Sequence, residues 1–157
     1  MTLFASARHV VPSSSRFAPL VLIAEDDRDT REIYRACLDL SGFRTAEAHN
    51  GRQALTKATD LVPDIIVTDL ALPGLDGFEL CRELRQNART CTIPVMAITG
   101  YAFADLDARA ARAGMARVLI KPCLPDTLVQ EVRTLVQRAR EAGGGRNAPG
   151  RAPSGSS

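Results

Sequence analysis

Four short apolar runs punctuate the chain: Leu20-Val21-Leu22-Ile23-Ala24, Asp64-Ile65-Ile66-Val67-Thr68, Ile93-Pro94-Val95-Met96-Ala97-Ile98 and Arg117-Val118-Leu119-Ile120, with a weaker fifth from Phe43 to Ala48. Their apolarity is continuous rather than alternating, which suits strands covered on both faces. Between the runs, apolar residues recur at helical spacing. Ile33, Cys37 and Leu38 form one such set, followed by Leu55, Ala58 and Leu61, by Leu80, Cys81 and Leu84, by Leu106, Ala110 and Ala113, and by Leu128, Val132 and Leu135. Each set gives a helix one covering face. Turn-forming residues divide the units at Ser41-Gly42, Asn50-Gly51, Pro73-Gly74, Gly114 and Pro125, and Pro125 suits the first turn of a last helix. No internal repeat occurs. Five β-α units in series predict an α/β domain with one parallel sheet and helices on both sides.

The flanks read differently. Residues 1–18 hold Pro12, the Ser13-Ser14-Ser15 run and no acid, while residues 143–157 are mostly Gly, Pro, Ser, Ala and Arg. Neither can bury enough apolar area to offset the entropy of ordering, so disordered extensions are expected around a single domain spanning 19–142. A transit peptide is the alternative reading of the acid-poor N-terminus. At 157 residues and 45% hydrophobic, the chain has room for one well-buried core and not two.

Charge and cysteine usage narrow the class. All 18 acidic residues and 16 of the 20 basic ones lie between Glu25 and Glu141, so the net +2 comes from Arg8, Arg16, Arg146 and Arg151 outside that stretch. No concentrated basic face of the nucleic-acid-binding kind is evident. Cys37, Cys81, Cys91 and Cys123 form no C-x-x-C pair, and a reducing compartment is expected. The apolar stretch from Thr2 to Val11 is broken by Arg8 and His9, and is too short for a secretory or membrane-spanning segment. A soluble cytoplasmic protein is expected.

The polar residues then fall in a telling place. In an open parallel sheet, ligands bind outside the carboxyl ends of the strands. The first strand runs into Glu25-Asp26-Asp27, the third into Asp69, the fourth into Thr99 and the fifth into Lys121. Each has an ordinary explanation alone: helix capping for the acidic trio, a turn start for Asp69, a local hydrogen bond for Thr99, a solvated strand end for Lys121. Their convergence at one edge, out of otherwise apolar strands, calls for a shared one. Clustered carboxylates repel one another unless a cation intervenes, and an oxygen-rich site of this kind suits Mg²⁺. A hydroxyl and an ammonium alongside are what a transferred phosphoryl group requires, with Asp69 as nucleophile.

These residues resemble the receiver domain of two-component response regulators, the CheY-like family. The resemblance rests on Glu25-Asp26-Asp27, Asp69 in DLALPGLDGFEL, Thr99 in ITGY and Lys121 before Pro122, and covers about residues 19–140. It implies a flavodoxin-like doubly wound (βα)5 fold of strand order 2-1-3-4-5. It further implies that Asp69 is the phosphoacceptor, modified to 4-aspartylphosphate. Asp26 and Asp69 would be direct Mg²⁺ ligands, Glu25 would act through water, and the main-chain carbonyl of Ala71 would complete the protein's share; Mn²⁺ would be able to substitute. Thr99 would hydrogen-bond the phosphoryl group and Lys121 would ion-pair with it, next to a cis Lys121-Pro122 bond. Asp27 reads as a helix-entry residue. The donor would be a sensor histidine kinase or a histidine phosphotransfer protein, and the readout face would be the fourth helix, fifth strand and fifth helix, including Arg109, Arg112 and Arg117; the same arginines also fit an ordinary solvated face.

Two positions depart from the family pattern. Three residues before the lysine, where an aromatic is usual, stands Val118, with Tyr101 the nearest aromatic that could substitute; a surface-packing role fits Tyr101 equally. Cys123 stands where an aromatic often follows Lys-Pro, and reads as a small buried residue rather than a redox sensor. With no second globular segment after residue 142, the expectation is a stand-alone regulator acting in trans on an unknown downstream protein, without direct contact to nucleic acid or membrane. It would be a phosphorylation switch with slow autodephosphorylation, not a turnover enzyme. Two competitors are a metal-dependent phosphohydrolase, against which Asp69-Leu70-Ala71 lacks the second acid of a D-x-D motif, and a receiver-like scaffold that is never phosphorylated. The absence of a Walker A loop or a G-x-G-x-x-G fingerprint argues against nucleotide chemistry.

Overall fold

A computed structural model of the chain describes residues 18–144. Strands β1 (Leu20–Ala24), β2 (Arg44–Ala48), β3 (Ile65–Thr68), β4 (Val95–Thr99) and β5 (Arg117–Ile120) alternate with helices α1 (Arg28–Leu40), α2 (Gly51–Leu61), α3 (Gly77–Gln86), α4 (Leu106–Ala113) and α5 (Pro125–Gly144). All strand pairs are parallel and the order is β2-β1-β3-β4-β5, the doubly wound order that the resemblance implied. The extensions expected at either end fall largely on residues 1–17 and 145–157, outside the described residues. The expected boundary at 142 falls inside α5, because continuing a formed helix orders one residue per added hydrogen bond.

Alternate residues of each central strand feed two cores. Leu22, Ala24, Ile66, Val95 and Ala97 pack on one face with Ala54, Ala58, Leu80, Cys81, Leu84 and Ala110 from α2, α3 and α4. Val21, Ile23, Ile65, Val67, Met96 and Ile98 pack on the other with Tyr34, Leu38, Leu128 and Val132 from α1 and α5. Continuous apolarity in β1, β3 and β4 thus does mean burial on both faces. Edge strands β2 and β5 are only partly covered.

Two helix faces differ from the periodicity reading. The inward residues of α1 are Arg31, Tyr34 and Leu38, and Ile33 is 55% exposed. One residue's shift along a helix is a rotation of about 100°, so once Tyr34 points inward Ile33 cannot, and Cys37 beside Leu38 is left half-buried. In α2 the covering residues are Ala54 and Ala58, with Leu55 partly buried. Leu61 is the last residue of α2, where the chain leaves through Val62 in the left-handed region (φ 46°), and it stays 47% exposed.

Caps set where the helices begin. Asp27, Asn50 and Asp76 each accept a hydrogen bond from the backbone N–H three residues on, at 2.9, 2.8 and 2.8 Å. Asp27 is therefore a helix-entry residue, as its position suggested, and Pro125 opens α5. No described helix is long and apolar enough to cross a membrane.

Candidate functional site

The sheet's own ladder, carried one residue past the strands, delivers the polar residues. The Glu25 amide donates to the Ala48 carbonyl (3.1 Å), the Asp69 amide to the Ala24 carbonyl (3.0 Å) and the Lys121 amide to the Thr99 carbonyl (2.7 Å). These bonds place the ends of β1, β3 and β5 along one rim. There Lys121 Nζ lies 2.9 Å from Asp69 Oδ2 and 3.3 Å from Glu25 Oε1. Glu25, Asp26 and Asp69 each offer a carboxylate oxygen within 4.8 Å of the other two.

The rim is shielded below and open above. Glu25 is 2% and Asp69 9% exposed, whereas Asp26 and Ala71 face solvent. The Ala71 amide donates to Asp69 Oδ1 (3.1 Å). Thr99 is buried at the end of β4, and its Oγ1 accepts from the Tyr101 amide (3.2 Å). Sequence reading thus located Glu25, Asp26, Asp69 and Lys121 in one constellation, with Ala71 on the loop that follows Asp69 and Thr99 at the adjoining strand end.

Electrostatics report a shortage of positive charge. Burial, followed by the neighbouring Asp69 carboxylate, pushes Glu25 up to about 7, with Lys121 opposing. Burial works against ionised Asp69 too, but the hydrogen bonds from Lys121 and the Ala71 amide outweigh it and hold Asp69 below the usual carboxylate range. Lys121 is also burdened by burial, and its bond to Asp69 and the charge of Glu25 raise it regardless. Three clustered carboxylates, two of them bonded to a single ammonium, form a hard-oxygen donor set that fits Mg²⁺. It is the kind of acidic pocket in which receiver domains bind that ion.

Sequence reading missed Arg31. Its Nη1 donates to the Glu25 main-chain carbonyl (2.8 Å) from a buried position, and its Nε lies 3.4 Å from a Glu47 carboxylate oxygen without the alignment of a hydrogen bond. A guanidinium thus braces the acidic loop from behind. The available signal was its spacing, since Arg31 precedes Tyr34 and Leu38 by three and seven residues on one helix face.

The remaining expected residues separate clearly. The Lys121-Pro122 bond is cis. Val118, opposite Ala97 in the ladder, is half-buried against the same core as Phe103, and Tyr101 is 76% exposed. Cys123 is half-buried against the other core, and all four cysteines are free. Of the three arginines on the expected readout face, Arg109 stacks over the rings of Phe78 and Phe103 (4.5 and 5.3 Å to the centroids), Arg117 pairs with Glu131 (3.2 Å) and Arg112 is exposed.

Comparison with known proteins agrees with this geometry. Residues 21–133 match the family model described as the response regulator receiver domain. The chain is 35% identical over 131 residues to the C4-dicarboxylate transport transcriptional regulatory protein DctD of Pseudomonas aeruginosa, covering 80% of this chain and 28% of DctD. Among solved structures, the signal receiver domain of a signal transduction histidine kinase from Syntrophus aciditrophicus superposes with a TM-score of 0.72 at 30% identity, over 77% of this chain and 92% of that one. Chemotaxis protein CheY4 of Vibrio cholerae does so at 0.72 and 25%, over 75% and 98%. The chain spans about half the length or less of several curated transcriptional regulators that it matches. With the family model covering most of its length, and the fold and acidic rim in agreement, the chain belongs to the response regulator receiver-domain family of two-component systems, whose members are phosphorylation switches.

Proposed function

We propose that Asp69 is the phosphoacceptor, taking a phosphoryl group from a sensor histidine kinase or a histidine phosphotransfer protein in a Mg²⁺-dependent reaction. The observation that carries this reading is the shared Lys121 ammonium, 2.9 Å from Asp69 and 3.3 Å from Glu25, inside a three-carboxylate rim. A carboxylate oxygen of Asp69 attacks phosphorus while the bond from phosphorus to the donor imidazole nitrogen breaks. The electron pair stays on that nitrogen, and Asp69 becomes an acyl phosphate.

Asp26, Asp69 and the Ala71 carbonyl would hold the ion directly, and Glu25 through water; Mn²⁺, with similar oxygen preference, is expected to substitute. Bound there, the ion would offset the negative charge of the transferred group. Lys121 already touches Asp69 Oδ2 and needs only to follow the charge onto the phosphoryl oxygens. Thr99 would donate its hydroxyl to one of them, and because its Oγ1 accepts from the Tyr101 amide, that movement would carry the start of the β4–α4 loop with it. Apart from slow loss of its own phosphoryl group the domain has no turnover, and it biases a two-state equilibrium.

Output would run through protein contact in trans, in the cytoplasm, on the face formed by α4, β5 and α5 with Arg109, Arg112 and Arg117. The DNA binding named for the transcriptional regulator RpaA of Synechocystis sp. is not carried over, since the match covers 50% of that protein. The test is incubation with Mg²⁺ and acetyl phosphate, followed by intact mass of the parental protein and Asp69→Ala. A labile single phosphoryl adduct on the parental protein alone is expected. Sustained phosphate release from unrelated monoesters would favour a phosphohydrolase, and no adduct from acetyl phosphate or any kinase would leave a scaffold.

A further inference from the structure

Residues 70–76 link β3 to α3, running from beside Asp69 to the Asp76 cap and carrying the Ala71 carbonyl. Both ends of this segment are held by close backbone approaches. At one end Gly77 donates its amide to the Leu70 carbonyl (2.9 Å), and a Cβ on Gly77 would lie 2.6 Å from the Asp69 carbonyl oxygen and 2.9 Å from Leu70 Cα. The other end is held from a different unit of the fold. Gly51, the first residue of α2, approaches so closely that a Cβ there would lie 1.8 Å from the Leu75 carbonyl oxygen and 2.6 Å from Leu75 Cβ. Its amide also points at the Pro73 carbonyl (3.5 Å), which accepts from the Leu75 amide as well (3.0 Å).

The atom in the way is backbone, so no rotamer change makes room. Nor does the local conformation of Gly51 demand glycine, since its φ lies outside the left-handed region. Only the close approach does. The start of α2 is itself pinned, with Asn50 Oδ1 accepting from the Gln53 amide (2.8 Å) and Gln53 Oε1 accepting from the His49 amide (2.6 Å). Leu75 is half-buried against the core that α2 covers. The start of α2 therefore acts as a fixed stop for the loop.

We propose that Gly51 is a positioning residue for the acceptor site: by seating the Pro73–Leu75 turn on the first turn of α2, it sets where the Ala71 carbonyl and Asp69 stand relative to Asp26. It touches neither ion nor phosphoryl group. The proposal rests on the phosphoacceptor reading, and its test separates the two.

Gly51→Ala is compared with the parental chain and with Gly42→Ala. Gly42 has φ +93° and nothing within 4 Å of an added Cβ, in the turn between α1 and β2, so its replacement strains the backbone without touching the loop. Mg²⁺ affinity is read from the Mg²⁺-dependent rise in Tm, and adduct formation from acetyl phosphate is followed across Mg²⁺ concentrations. Gly51→Ala is expected to weaken Mg²⁺ binding by about tenfold to hundredfold, the range for loss of groups that orient metal ligands, with most of the adduct rate restored at saturating Mg²⁺. Gly42→Ala is expected to lower Tm while keeping the parental affinity. Leu75→Gly loosens the same contact without adding an atom, is expected to weaken Mg²⁺ binding likewise, and decides the matter if Gly51→Ala does not fold. Parental affinity in a folded Gly51→Ala, or in Leu75→Gly should the first not fold, overturns the positioning role. Absence of saturable Mg²⁺ binding by the parental chain instead overturns the acceptor reading on which it rests.

Discussion

At the scale of single residues, the site is governed by how few cations serve how many carboxylates. Glu25 is the clearest reporter, because burial and Asp69 together lift it from 4.5 to about 7. A carboxyl whose folded pKa is raised binds its proton more tightly in the native than in the unfolded chain. Its stabilising contribution is complete below the unfolded value and is lost as pH rises through the folded one. Without divalent ions, stability should therefore fall between about pH 4.5 and 7 from this group, and Glu25→Gln should flatten that slope in urea titrations at a series of pH values. An unchanged slope in Glu25→Gln would place the charge shortage elsewhere. The cysteines give a second check: Cys91 is exposed, whereas Cys81 is fully buried with its thiol pushed up by desolvation. Under native conditions, iodoacetamide should modify Cys91 readily and Cys81 only on unfolding, as read by peptide mapping.

At the scale of elements, β1, β3 and β4 were legible because both of their faces are buried, so every position before the closing Thr68 and Thr99 of β3 and β4 is apolar. Helices α3, α4 and α5 were legible too, since Leu80, Leu84, Leu106, Ala110, Leu128 and Val132 do face the sheet. The inward stripe of α1 was not, for it holds a charged residue and an aromatic, Arg31 and Tyr34, while apolar Ile33 faces solvent. Apolar spacing cannot register a buried guanidinium whose partners are the Glu25 carbonyl and Glu47. Substitution can: Leu38→Ala should cost about 2–5 kcal/mol of unfolding free energy and Ile33→Ala within about 0.5 kcal/mol of nothing. Comparable losses at both positions in urea denaturation would put the stripe elsewhere. Asp76→Ala, which removes the α3 cap that closes the loop after Asp69, should cost about 1 kcal/mol.

At the scale of the whole molecule, the site is a consequence of topology. Parallel strands end on one side of the sheet, and backbone bonds from Glu25 to Ala48, Asp69 to Ala24 and Lys121 to Thr99 extend the sheet into the rim. That convergence could be read from strand ends alone. The supports behind it could not, because the contact of Gly51 with Leu75 joins residues of two units whose meeting no local pattern encodes. The same scale separates acceptor from readout. Val118 sits half-buried beside Ala97 and packs on the core, so Val118→Tyr should leave adduct formation nearly unchanged while altering affinity for whatever partner binds the phosphorylated form. Abolition of the adduct by that change would mean that site and readout are not separable.

The central claim is that one carboxylate, Asp69, accepts the phosphoryl group. Its most direct test is peptide mapping of the chain after incubation with Mg²⁺ and a phosphoryl donor, with hydroxylamine treatment as the check for an acyl phosphate. A single hydroxylamine-labile phosphoryl group on the peptide carrying Asp69, absent when Mg²⁺ is chelated, is the predicted result; a phosphoryl group mapped to any other residue, or one that persists in Asp69→Ala, would contradict it.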